Sequence, residues 1–185
     1  MTQLRAFLAI EVPEELKLKI YKIIKEFKKT DARIKYVELE NLHLTLKFFG
    51  DIDTEGIDVL SQKISSVVDN FDGFKVNVKT CGAFPNTNRP KVIWLGLEND
   101  ENVRKLHDAL DKEFTKLGFD ADKRFSTHLT IGRMKSSKGK DKVKSTIEEF
   151  RDVEIGELDV DRIILKKSTL TPQGPIYENL KVFEL

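Results

Sequence analysis

Residues 43–46 read HLTL and residues 128–131 read HLTI, and two of the chain's three histidines open these near-identical phrases. In a strand, residues i and i+2 share a face. His43 and Thr45 therefore point one way, with Leu42, Leu44, Leu46 and Phe48 pointing the other, towards a core. His128 and Thr130 share a face in the same manner, opposite Phe125, Leu129 and Ile131. Any fold for this chain must give two distant strands a dry back and a wet front.

The flanking sequence says how those strands are connected. LRAFLAIEV (4–12) reads as a strand ended by Pro13. Leu16, Ile20, Ile23, Ile24 and Phe27 then recur at helical spacing up to Lys29. RIKYVEL and LHLTLKFFG read as strands, the second ending at Gly50, and Asp53 or Thr54 can cap a helix bearing Ile57, Leu60, Ile64 and Val67. Two more strands follow, FKVNVKT (74–80) and KVIWLGL (91–97). Asn99 or Asp100 caps a third helix that Gly118 stops. STHLTIGRM (126–134) is a strand, SSKGKDKVK a lysine-rich loop leading into a short helix through Phe150, and RIILKKSTL and IYENLKVFEL close the chain around the turn TPQGP. These strands cannot all be joined by parallel crossovers. An α+β fold with antiparallel sheets is expected, residues 1–185 forming a single bilobal domain. The echo between the two halves suggests two pseudo-symmetric lobes around a central cleft.

Composition narrows the function. Thirty-two basic residues stand against 31 acidic ones, so a nucleic-acid partner would have to be held by local clusters of positive charge. A general nucleic-acid coat is thereby disfavoured. Cys81 is the sole cysteine, which excludes an intrachain disulfide and a cysteine zinc cluster. The opening MTQLRAFLAIEVPEE has no basic leader region, and its apolar run is too short to span a bilayer. A cytoplasmic monomer with no membrane association is the expectation.

The repeated phrase supplies two imidazoles and two hydroxyls. A single H-x-T on a strand is commonplace, but a matched pair in matched strand context is not. No third histidine and no carboxylate lies at ligand spacing, so a metal site is poorly supplied and no cofactor is expected. No serine or cysteine sits in a nucleophile-elbow context. Two histidines suit concerted acid–base catalysis, one neutral ring taking a proton while a charged ring gives one. Threonine hydroxyls can donate to non-bridging phosphate oxygens. In-line displacement at phosphorus would need the rings to flank it, each within one hydrogen bond of an axial oxygen.

The paired HLTL and HLTI resemble the H-x-T-x signatures of the two-histidine phosphoesterase superfamily. HLTLKFFGD, HLTIGR, TPQGPIYE and the opening RAFLAIEVP further resemble its RNA 2′,3′-cyclic phosphodiesterases, also called 2′-5′ RNA ligases, so the similarity spans essentially the whole chain. The resemblance implies a bilobal α+β fold, one motif per lobe, and metal-independent hydrolysis of RNA 2′,3′-cyclic phosphate ends to 2′-phosphomonoesters. It makes His43 the acid that protonates the departing ribose 3′-oxygen and His128 the base that activates water. Thr45 and Thr130 would hold the phosphate. Arg133 matches a family arginine five residues after the second histidine. Strict alternation turns it to the wrong face, so it must act from the strand end, from beyond a bulge near Gly132, or by its length. The resemblance also implies ATP-independent, reversible 2′-5′ joining of RNA ends, with tRNA halves among the partners.

Other residues carry weaker readings. Lys47 shares the His43 face and would stabilise phosphorane charge, although an exposed strand lysine is commonly just solvated. Phe49, in the same register, could stack a base, with rim packing as its plainer role. Ser126 and Arg124 are in phase with His128. Lysines 135, 138, 140, 142 and 144 could track RNA phosphates or simply be solvated. His107 lies in no motif and reads as structural or surface. Two rival functions stand beside the main one: a phosphodiesterase of small cyclic or 2′-5′-linked nucleotides, and an RNA-binding module without turnover.

Overall fold

The continuous apolar run at residues 6–10 fits a strand covered on both faces. In the structure, a computed structural model describing residues 2–185, all five of these residues are buried within β1 (Gln3–Glu11). The strand is central: it pairs with β3 (His43–Asp53) on one side and β8 (Arg162–Thr171) on the other. A four-stranded sheet results, in the order β3-β1-β8-β9, with β9 spanning Gly174–Glu184. The second sheet has five strands: β2 (Ile34–Tyr36), β6 (His128–Met134), β5 (Val92–Glu98), β4 (Phe74–Phe84) and β7 (Glu154–Val160), in that spatial order. Every ladder is antiparallel. The α+β class and the antiparallel sheets are as the element order predicts.

The helices follow their stripes. Helix α1 (Glu14–Lys28) buries Leu16, Ile20, Ile23, Ile24 and Phe27, with acidic residues in its first turn and lysines in its last, favourable to the helix dipole. Helix α2 (Thr54–Val68) is capped by the Asp53 carboxylate, which accepts from the Gly56 N–H at 2.7 Å. Helix α3 (Glu101–Lys116) buries Val103, Leu106, Leu110 and Phe114.

Strand β4 extends to Phe84, past its expected end at residue 80, and two other elements differ more from the sequence reading. Helix α4 (Lys140–Glu149) begins inside the run expected to be a loop, so Lys140, Lys142 and Lys144 stand on a helix anchored by buried Val143 and Ile147. Strand β7 was not expected at all. Ile155 is an extra residue in its ladder with β4, so the buried positions fall at 155, 158 and 160 and no simple alternation is visible.

The lobes are interleaved along the chain. Helix α1 follows β1 of the four-stranded sheet but packs against β7 of the five-stranded one. Helix α3 follows β5 but sets Phe114 edge-on to Phe49 of β3, with ring centroids 4.9 Å apart. Most of the buried apolar side chains, from both sheets and all four helices, form one contiguous core, which leaves out Phe7, Ala9 and Ile164. No helix among the described residues is long and apolar enough to cross a membrane.

Candidate active site

Strands β3 and β6 meet where the two sheets face each other, and a cleft of about 710 Å³ opens over them. His43, Thr45 and Phe48 line it from β3; His128, Thr130 and Arg133 line it from β6. Tyr36, Asn41, Phe84, Ser126 and Tyr177 complete much of the wall. The two H-x-T phrases thus present their wet fronts to one shared space.

A bulge interrupts each strand just after its threonine. On β3, Thr45 lies opposite Ala9 and Lys47 opposite Leu8, leaving Leu46 as an extra residue. On β6, Thr130 lies opposite Trp94 and Gly132 opposite Ile93, leaving Ile131 extra. An inserted residue shifts the side-chain phase by one. Arg133, on the wrong face by strict alternation, is thereby brought onto the His128 face and into the cleft. The same shift places Phe48 in the cleft wall, where it is 71% exposed, and corrects its expected place in the core. Phe49 instead packs inward against Phe114 and Phe119.

Lys47 is likewise a correction, because the shift takes it off the cleft. Its ammonium donates to Asp111 Oδ1 at 2.7 Å and to the Asp120 carbonyl at 2.6 Å, and its side chain is only 10% exposed. The Asp122 N–H donates to the other Asp111 oxygen at 2.9 Å. Burial opposes charge on Asp111, yet the Lys47 ammonium and the Asp122 N–H hold its carboxyl below the usual range. Lys47 therefore ties β3 to α3 and to the loop that leads into β6.

The two imidazoles are held differently. His43 Nδ1 donates to the Asn41 carbonyl at 2.6 Å, and Nε2 lies 2.8 Å from Thr45 Oγ1. A carbonyl oxygen can only accept, so Nδ1 carries a proton and Nε2 is the site that changes protonation. His128 Nδ1 is paired with the Ser126 hydroxyl, which can donate or accept. Aromatic rings flank both: Phe7 at 5.1 Å and Tyr177 at 5.4 Å from His43, Trp94 at 4.1 Å and Phe84 at 5.0 Å from His128. Burial is the main cause that lowers each imidazole pKa. At His43 the Asn41 carbonyl pulls back upward, Lys166 pushes down and Glu11 pulls up. At His128 Arg104 pushes down and Asp100 pulls up.

The remaining candidates separate cleanly. Ser126 lines the cleft; Arg124 and lysines 135, 138, 140, 142 and 144 do not. His107 is 3% exposed, stacked on Phe125 and placed between Asp108 and Asp122, away from the cleft. Tyr177 and Asn41 were missed as wall residues. Tyr177 sits in the quoted TPQGPIYE phrase, whereas Asn41 acts through its backbone carbonyl and leaves no mark in the side-chain pattern.

Comparisons with known proteins give the chain's family. Residues 12–169 match the family model for the 2′-5′ RNA ligase superfamily. A relative from Methanothermobacter thermautotrophicus, named RNA 2′,3′-cyclic phosphodiesterase, is 39% identical over 99% of this chain and all of its own length. Another of that name, from Methanocaldococcus jannaschii, is 42% identical over 96% of this chain and 99% of its own. The crystal structure of TT0787 from Thermus thermophilus superposes with a TM-score of 0.82 and 26% identity, covering 98% of this chain and 97% of that one. With the family model matched over most of the chain and relatives aligned over nearly their full length, this chain belongs to the 2′-5′ RNA ligase superfamily.

Proposed function

We propose that the protein hydrolyses RNA ends bearing a 2′,3′-cyclic phosphate to 2′-phosphomonoesters, by metal-independent catalysis between His43 and His128. The observation that carries this reading is the convergence of two H-x-T strands, one from each sheet, on a single cleft. The names of the archaeal relatives supply the substrate class. His43 and His128, both lining that cleft, are its imidazole groups for proton transfer.

In this mechanism His128 takes a proton from water as the water oxygen bonds to phosphorus. The P–O3′ bond breaks and His43 gives its Nε2 proton to the departing 3′-oxygen. A 2′-phosphate and a 3′-hydroxyl result. The Asn41 carbonyl holds the Nδ1 proton, so Nε2 is the atom of His43 left to deliver a proton to the leaving oxygen. Thr45, Thr130 and Arg133 hold the non-bridging oxygens and the charge that grows on them. A 5′-hydroxyl in place of water would give a 2′-5′ linkage without ATP, so the same site supports reversible joining of RNA ends such as tRNA halves.

The test is to incubate the protein with RNA ending in 2′,3′-cyclic phosphate and identify the monoester. A 2′-phosphate is expected, in the presence of EDTA as in its absence. A 3′-phosphate would exchange the roles of the two rings, and loss of turnover on chelation would reject the metal-free mechanism. His43→Ala and His128→Ala should each slow turnover on the order of 10²–10⁴-fold. A variant retaining most of its rate would remove that ring from the mechanism.

A further inference from the structure

A second groove, of about 360 Å³, adjoins the cleft and shares Phe48, Pro175 and Tyr177 with it. Arg5 and Leu170 line this groove and not the cleft. Phe48 is 71% exposed and Leu170 67% exposed, a cost in solvation that exposed apolar patches carry where something binds them. Strand β3 sets the layout. It runs from the turn bearing Glu38 and Glu40, past His43 and Thr45, to Phe48 and Gly50, where β1 brings up Arg5. Glu38 and Glu40 line the cleft at the start of that path, with Lys35 beside them. A phosphodiester chain leaving the cleft therefore meets two carboxylates in one direction and a guanidinium in the other. Asp51 is the register partner of Arg5 and lies outside the groove lining.

We propose that this groove is a subsite for the nucleotide immediately 5′ of the cyclic-phosphate terminus, a proposal that rests on the phosphodiesterase reading above. The base of that nucleotide packs on the Phe48 ring and Leu170, and the phosphate joining it to the terminal residue meets Arg5. Every RNA substrate carries such a nucleotide, whereas a mononucleotide cyclic phosphate does not. Apart from Arg5, the side-chain hydrogen-bonding groups in the lining are the hydroxyls of Ser168 and Tyr177. The subsite accordingly reads base faces more than base edges and tolerates any sequence.

The experiment compares adenosine 2′,3′-cyclic phosphate with the dinucleotide ApA ending in 2′,3′-cyclic phosphate. Stacking of one base predicts a kcat/KM about tenfold or more in favour of the dinucleotide. A dinucleotide with an abasic 5′ residue should lose most of that advantage, with no change to the protein. Leu170→Ala and Arg5→Ala, both exposed and outside the cleft lining, should reduce it severalfold while leaving mononucleotide turnover where it was. Equal kcat/KM for the two substrates, or variants that slow both alike, would overturn the subsite. Should neither substrate turn over, the phosphodiesterase reading fails by itself. The groove is then judged by calorimetric affinities for adenosine 2′-phosphate and ApA 2′-phosphate: tighter dinucleotide binding supports it, and equal binding overturns it.

Discussion

His43 and His128 open matching phrases, yet one ring is fixed by a carbonyl and the other is held by a hydroxyl. Burial lowers both imidazole pKa values below the ordinary value of about 6.5. A mechanism needing one ring neutral and one protonated has its optimum between the two free-enzyme values. The kcat/KM profile should therefore be bell-shaped with its maximum on the acidic side of about pH 6.5. A rate still rising above pH 7 would show that burial does not hold both values below the ordinary one. The second prediction concerns Gly82, which lies opposite Trp94 in the β4–β5 ladder. A Cβ at Gly82 would come within 2.3 Å of the Trp94 ring, and that ring packs 4.1 Å from His128. Gly82→Ala should shift the fluorescence of this single tryptophan and lower kcat together. An unchanged spectrum with full activity would show that the indole has room to move.

The informative feature among the elements is the bulge that each motif strand carries one residue after its threonine. It brings Arg133 to the cleft and sends Lys47 away to Asp111. With side chains 10% and 13% exposed, removing one partner leaves the other charge uncompensated. Lys47→Met should then cost about 3 kcal/mol in denaturant unfolding, and a loss below about 1 kcal/mol would show the pair to be well solvated. The sign with pH is fixed by Asp111, whose carboxyl is held below its ordinary range in the fold. Its contribution is present above the unfolded carboxylate value of about 3.9 and is lost as pH falls through the lower, folded one. The wild-type advantage over Lys47→Met should shrink across that acidic window.

At the scale of the molecule, the two sheets are joined by helices that belong to one in sequence and pack on the other in space. Neither lobe can be cut from the chain without taking part of its partner's support. We therefore expect residues 1–185 to unfold as one cooperative domain, with equal calorimetric and van't Hoff enthalpies. Two resolved transitions would mean that the lobes are independent.

The sequence alone determined most of the elements and the reactive groups. Helical stripes and strand alternation are local periods, set by which face must leave water, so α1, α2, α3 and the wet fronts bearing His43, Thr45, His128 and Thr130 were legible from the residues. Strand β7, the cleft positions of Phe48 and Arg133, and the Lys47–Asp111 tie were decided only in the tertiary structure. Each of these depends on a bulge, and a bulge is a mismatch between two paired strands. Its position is set by the partner's register, which no single segment of the chain contains.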